Sequence, residues 1–253
     1  MGSQRLILVD GSGYIFRAFY ALPPMSREDG TPVNAVFGFT SMLLKLSEDM
    51  EGENILVVFD AARTTFRNAI YKEYKANRSE PPEELVPQFD LIKKATTAIG
   101  LKSLEVENYE ADDIIATYVK IAKKENIETL VISSDKDLMQ LIQDGVSLYD
   151  PMKNIKIGPE AVLEKFGVSP DKVIDVQALA GDSSDNVPGV PGIGVKTASQ
   201  LINEYGSLEK LLDNASSIKQ EKRRESLLNN AELAIVSKKL VSLFSDVPIP
   251  YKI

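Results

Sequence analysis

An α/β fold, with a central and mostly parallel sheet and helices on both faces, is predicted by three features of this 253-residue chain. The short runs 5–9, 54–59 and 128–133 are largely apolar, as strands buried on both faces are, and a shorter strand is expected at 102–106. Segments of helical periodicity separate them, giving a β-α-β-α-β-α-β order. Three of the strands lead directly into an aspartate: Asp10, Asp60 and Asp135. In a sheet of this kind, ligands bind beyond the carboxyl ends of the strands.

Taken in order, 5–9 is a strand ending at Asp10, and Gly11-Ser12-Gly13 turns the chain into a helix at 14–20 that carries Arg17. Pro23-Pro24 breaks that helix. Val36, Phe37, Phe39, Met42, Leu43 and Leu46 place a second helix over 34–50. Strand 54–59 ends at Asp60. A basic helix is expected over 66–78. From Arg63 to Arg78 the segment holds Arg63, Arg67, Lys72, Lys75 and Arg78 against one acid, Glu73. Pro81-Pro82 precedes a helix from about 83 to 99. The third strand leads to Glu110, Asp112 and Asp113, three carboxylates in the first turn of a helix reaching about 125. The helix dipole favours acids there, but three so close repel one another, and a divalent cation would offset that repulsion. Strand 128–133 leads to Asp135 and Asp137, then a short helix at 138–142 and a short strand at 146–149.

One aspartate after one strand is most simply a helix cap. Four chain segments delivering carboxylates to the same sheet edge point to a metal site. The chain has no His and no Cys. That excludes imidazole–zinc sites, Ser-His-Asp triads and thiolate chemistry, so a metal must be held by oxygen: Mg²⁺, Mn²⁺ or Ca²⁺. No run approaches the ~20 apolar residues of a membrane helix, and the N-terminus lacks the long apolar run of a signal peptide. Net charge is −8. The basic stretch and Lys219-Gln-Glu-Lys-Arg-Arg224 show that the charges are segregated, so basic patches remain available to a polyanion.

After Pro151 the chain turns helical, with helices expected at 159–167, 171–180, 196–204, 207–213, 219–229 and 231–244. Asp182 and Asp185 lie in Gly-Asp-Ser-Ser-Asp-Asn, followed after Val187 by Pro-Gly189-Val190-Pro-Gly192-Ile193-Gly194-Val-Lys196-Thr197-Ala. A Gly/Pro turn running into a helix N-terminus presents successive N–H groups to a phosphate, and Lys196 and Thr197 stand beside it. The spacing resembles a helix–hairpin–helix at about 186–204, a module that grips the DNA backbone without reading bases.

The ordered set Leu-Val-Asp10-Gly, Val-Phe-Asp60, Tyr-Glu110-Ala-Asp112-Asp113, Ser-Ser-Asp135-Lys-Asp137, Gly-Asp182-Ser-Ser-Asp185-Asn and Gly-Val-Pro-Gly-Ile-Gly-Val-Lys resembles the 5′-nuclease (flap endonuclease) superfamily. It is most similar to the 5′→3′ exonuclease domains at the N-terminus of bacterial DNA polymerases I, over essentially the whole chain, with no acid missing. The resemblance implies an α/β nuclease core at 1–158, with a helical arch at about 72–100 that threads a 5′ flap and whose order without DNA stays open. It implies an α-helical DNA-binding subdomain at 159–245 and a tail or linker at 246–253, and leaves open whether the chain is an excised polymerase domain or a stand-alone relative.

The resemblance also implies a site. Asp10, Asp60, Glu110, Asp112 and Asp113 would surround one Mg²⁺ or Mn²⁺, and Asp135, Asp137, Asp182 and Asp185 a second. Lys75 and Arg78, three apart on one helix face, would act at the scissile phosphate with Arg17, and Tyr74 would be a base-stacking platform. Arg63, Arg67, Gly189, Gly192, Gly194, Lys196 and Thr197 would contact DNA, and the carbonyls of Val190 and Ile193 would hold K⁺. The implied activity is two-metal hydrolysis of DNA with a 5′ flap, nick or junction, RNA/DNA primers included, serving Okazaki-fragment maturation and repair. A monomer in the bacterial cytoplasm, associated with the nucleoid, is expected. Two other readings compete. A PIN-like ribonuclease would need fewer acids and no hairpin module, and a non-catalytic junction binder would lack some of the acids. A phosphate-ester hydrolase with an Asp nucleophile is disfavoured, because Asp10-Gly-Ser lacks a second Asp two residues on.

Overall fold

A computed structural model describes residues 5–50 and 53–252. The expected N-terminal and tail assignments reach residues 1–4 and 253, which lie outside the described residues. Six strands form one sheet in the order β3-β2-β1-β4-β5-β6: β1 Leu6–Asp10, β2 Asn54–Val58, β3 Lys102–Leu104, β4 Thr129–Ile132, β5 Val146–Asp150 and β6 Ile155–Ile157. All neighbouring pairs are parallel except β5 with β6, an antiparallel edge strand not anticipated from the sequence.

The two-residue period of β1 explains how the sheet is covered. Leu6 and Leu8 point into one core with Leu56, Val58, Ile114, Tyr118 and Val131. Ile7 and Val9 point into the other with Tyr14, Phe39, Val57, Ile92 and Ile132. The second face is covered by α1 Gly11–Ala21, α2 Asn34–Asp49 and α4 Gln88–Ala98, and the first by α5 Ala111–Lys124. The chain then adds α6 Pro159–Phe166, α7 Val173–Ala180, α8 Val195–Tyr205, α9 Leu208–Asp213, α10 Glu221–Asn229 and α11 Ala231–Val241. Their apolar side chains, from Val162 to Ala234, join the α5 core without a break. No helix among the described residues is long and apolar enough to cross a membrane.

The stretch expected as one basic helix and a helical arch is different. Its helix, α3 Phe66–Ile70, stops after five residues, and turns fill much of the path to α4. Lys75 adopts φ +56°, a left-handed conformation that no helix interior accepts. Lys75 and Arg78 therefore do not share a helix face. The segment folds onto the protein instead: Tyr74 and Leu85 are buried, and Gln88 accepts from the amides of Ala35 and Val36. The helix expected at 138–142 is a 3₁₀ turn, Asp137–Leu141.

Candidate metal and nucleic-acid site

Three loops that follow parallel strands, the α5 N-terminus and the 182–187 loop meet at the carboxyl edge of the sheet. Asp10 ends β1 and caps α1, accepting from the Ser12 amide at 3.1 Å and the Ser133 hydroxyl at 2.8 Å. Asp60 accepts from the Ser12 hydroxyl at 2.6 Å and from the Ala111 amide at 2.8 Å. Ser133 passes the order on: its hydroxyl accepts from the Asp135 amide at 3.0 Å, and Asp135 accepts from the Asp137 amide at 2.9 Å. Gln177 donates to Asp137 at 2.5 Å. Asp182 and Val187 exchange backbone bonds at 2.9 and 2.7 Å, closing the loop that carries Asp185.

The acids strain one another electrostatically. Burial, reinforced by Asp60 and Asp135, pushes the Asp10 carboxyl up to about 6 from its ordinary 3.8. Burial and Asp135 push Asp137 up to about 7. Burial, Asp135 and Asp10 raise Asp112 well above the carboxylate range. Carboxylates are therefore crowded here, and an all-oxygen donor set fits a hard divalent cation. As folded, no three carboxylates among the described residues are gathered tightly enough to ligate one ion. Side-chain cations stand among them. Lys75 Nζ bonds Glu110 at 2.7 Å and lies 3.6 Å from Asp185, Arg78 pairs with Asp185, and Lys136 lies 2.5 Å from Asp182. Burial would lower the Lys75 pKa, but Glu110 and Asp185 outweigh it and the ammonium is held charged. Burial likewise opposes ionisation of Asp182, yet Lys136 and the Ser184 amide keep it below the usual range.

Four sequence-based assignments are corrected. Asp113 is fully buried and its two oxygens are occupied. Arg67 donates to both at 2.7 Å, and the Glu110 and Phe244 amides donate at 3.1 and 2.8 Å, so it is a structural acid with no oxygen to spare for a metal. Arg67, expected on DNA, is 1% exposed and also bonds the carbonyls of Leu240 and Ser242 at 2.8 and 3.0 Å. It ties the end of α11 to α5. Tyr74 cannot be a stacking platform, because its ring is buried and its hydroxyl reaches Glu110 at 3.2 Å and Asp185 at 3.4 Å. Gly189 does not face a partner: it is buried with φ +62°, and a Cβ there would stand 2.4 Å from the Gly181 amide nitrogen.

The other candidates are distributed as follows. Arg17 lines a small cleft with Asp10, Ser133 and Pro151 and donates to the Pro151 carbonyl at 3.0 Å. Arg63 is exposed and pairs with Glu80. Gly192, at φ +78°, and Gly194 are exposed with open space where a Cβ would stand, and exposed Lys196 and half-buried Thr197 follow in the first turn of α8. Val190 and Ile193 bury their side chains, and the Ile193 amide donates to the Val190 carbonyl at 3.0 Å. Sequence reasoning missed Ser12, Ser133 and Gln177 as the groups that orient the acids. The two serines were legible only as neighbours of strand-end aspartates.

Residues 5–167 match the family described as 5′-3′ exonuclease, N-terminal resolvase-like domain, and residues 168–253 match 5′-3′ exonuclease, C-terminal SAM fold. DNA polymerase I of Rhizobium leguminosarum is 54% identical over 97% of this chain, and that of Bacillus subtilis is 43% identical over 97%. The chain spans 25% and 28% of those relatives' lengths. Among solved structures, T5 5′-exonuclease with bound zinc superposes with TM-score 0.81 at 25% identity, covering 95% of this chain and 90% of that one. Flap endonuclease-1 from Methanococcus jannaschii shares the fold, with TM-score 0.60 at 18% identity, covering 95% and 79%.

Proposed function

The chain belongs to the 5′-3′ exonuclease family, and on that footing we propose that it is a structure-specific 5′ nuclease. Its reaction is hydrolysis of phosphodiesters at 5′ flaps, nicks and junctions in DNA and RNA/DNA primers, as exonuclease and flap endonuclease. The observation that carries this reading is the meeting of acids from five segments beside the cationic side chains of Lys75 and Arg78. Asp10, Asp60, Glu110 and Asp112 are the residues that would hold one Mg²⁺ or Mn²⁺, and Asp135, Asp137, Asp182 and Asp185 the other. When bound, such a pair supplies activation of water at neutral pH and charge stabilisation during in-line displacement, which a chain without His otherwise lacks.

The protein's own groups do the rest. Lys75 and Arg78 hold fixed positive charge where negative charge grows on the scissile phosphate, and Arg17 approaches from the Asp10 side. Ser12 and Ser133 keep the inner carboxylates aimed, and Arg67 with Asp113 fixes α5, which carries Glu110 and Asp112. Gly192, Gly194 and the start of α8 bind duplex phosphates through backbone N–H groups, Lys196 and Thr197, with carbonyls of Val190 and Ile193 as K⁺ ligands. Specificity then follows junction shape rather than sequence. The protein works as a monomer in the bacterial cytoplasm on nucleoid DNA, in primer removal and repair, and the activity of a whole polymerase is proposed only by way of the relatives.

The test is a 5′-labelled single-flap duplex incubated with the protein in Mg²⁺, in Mn²⁺ and in EDTA. Ion-dependent release of the flap near the junction, leaving a 5′-phosphate on the downstream strand, is expected. DNA that is bound but uncut in either metal overturns the nuclease reading in favour of a junction binder.

A further inference from the structure

The turn segment 73–78 and the acid loop 182–186 are joined by more than charge. Asn186 Nδ2 donates to the Glu73 carbonyl at 2.6 Å, and Asn77 Nδ2 donates to the Ser183 carbonyl at 2.7 Å. Between them the Lys75 amide donates to the Asp185 carbonyl at 2.9 Å. Each segment thus offers an asparagine to the other's backbone, flanking one main-chain bond. The conformations match this arrangement. Asn186 sits at φ +55°, which Asn tolerates, and Lys75 at φ +56°, which a long side chain adopts only where its surroundings impose it. The left-handed turn at Lys75 lets its N–H meet Asp185 while its ammonium meets Glu110.

We propose that Asn77 and Asn186 are positioning residues: a reciprocal amide clasp fastens the segment bearing Lys75 and Arg78 to the loop bearing Asp182 and Asp185, so that the two cations and the two acids are held as one unit. The inference rests on the nuclease reading for its catalytic consequence but not for the clasp itself. Neither asparagine touches the carboxylates, so each acts through Lys75, Arg78 and Asp185. A cation one ångström out of place in a preorganised site can cost a large factor in rate while leaving binding of a remote duplex arm intact.

The experiment compares the intact chain with Asn77→Ala/Asn186→Gly, glycine being chosen because it keeps φ +55° without strain. Amide hydrogen exchange is read in the ion-free protein. The Lys75 amide is expected to exchange at least about tenfold faster in the variant, while amides of β1 and α5 keep their protection. In single-flap cleavage, kcat is expected to fall about tenfold with KM within about twofold. The decisive reading is non-additivity. Lys75→Ala, expected to cost about 10²-fold in the parent, costs at most about tenfold in the clasp variant, because the ammonium is already misplaced. Unchanged exchange at Lys75 overturns the clasp, and a full, additive cost of Lys75→Ala in both backgrounds overturns the positioning role. If the parent cleaves nothing, the nuclease reading fails, and the exchange measurement still decides the clasp.

Discussion

Replacing Arg67 by Met separates the structural account of this residue from the one its sequence context suggests. A basic residue in a run of five invites assignment to DNA, and loss of a phosphate contact would weaken binding and lower the salt slope by about one. In the folded chain Arg67 is buried, with two 2.7 Å bonds to Asp113 and two to carbonyls at the end of α11. Arg67→Met leaves the Asp113 carboxyl in the interior with only the Glu110 and Phe244 amides as partners. Breaking one side of a buried pair costs about 3–5 kcal/mol. At about 2–4 °C per kcal/mol for a chain of this size, a midpoint loss near 10 °C is expected. Arg67→Met/Asp113→Leu removes the stranded carboxyl and is expected to recover a large part of it. Calorimetry or urea unfolding of the three proteins checks both values. DNA affinity at two salt concentrations, measured well below the midpoint, should match the parent. A variant as stable as the parent to within about 0.5 kcal/mol, or one with a reduced salt slope, refutes the buried-clamp reasoning.

Three further outcomes are expected. Asp10 and Asp137 bind their protons more tightly folded than unfolded, so the ion-free protein loses stability as pH rises from about 4 through about 7; urea midpoints should be higher at pH 5.5 than at pH 8, and saturating Ca²⁺ should reduce the difference. Asp112→Asn removes a carboxylate raised by burial and repulsion, so it should abolish cleavage, spare flap binding in gel shifts, and raise the ion-free melting temperature at pH 8. Gly192→Ala, at φ +78° in open space, should cost about 1–2 kcal/mol, whereas Gly189→Ala should cost more by thermal melts, because its Cβ meets the Gly181 backbone and neither segment can retreat.

The centre of the sheet was legible because β1, β2 and β4 are short, largely apolar runs, whereas the edge strand β6, with two of its three residues exposed, gave no such signal; the acids were legible because they stand at strand ends, where topology forces them together. Neither signal depends on distant contacts. The basic stretch misled for the opposite reason. Periodicity over 66–78 suggests a helix, but the ion pairs of Lys75 and Arg78 with acids far along the chain draw the backbone into turns instead. Arg67 and Lys75 are both basic residues of that run. One is buried as a clamp and one approaches the site, and only the position of Asp113 against Glu110 separates their fates. Gly189 and Gly192 carry the same ambiguity: both adopt positive φ, yet only the second is open to a partner.

The charge distribution also bears on how a chain of net −8 could bind the DNA proposed as its substrate. Asp10, Glu110, Asp113, Asp150, Asp175, Asp182 and Asp185 are buried, seven of the 37 acids, so that part of the negative charge does not face solvent. Lys75, Arg78 and Lys136 pair with Glu110, Asp185 and Asp182, and Asp10, Asp112 and Asp137 retain their protons more tightly than a carboxylate should. A phosphate approaching this edge has to compete with Glu110 for Lys75 and with Asp185 for Arg78. Cations held among the carboxylates would relax both competitions, by neutralising Asp10, Asp112 and Asp137 and weakening the hold of Glu110 and Asp185 on the basic side chains. Ion binding and phosphate binding are then favourable to one another through the same few residues, and by linkage each should tighten the other.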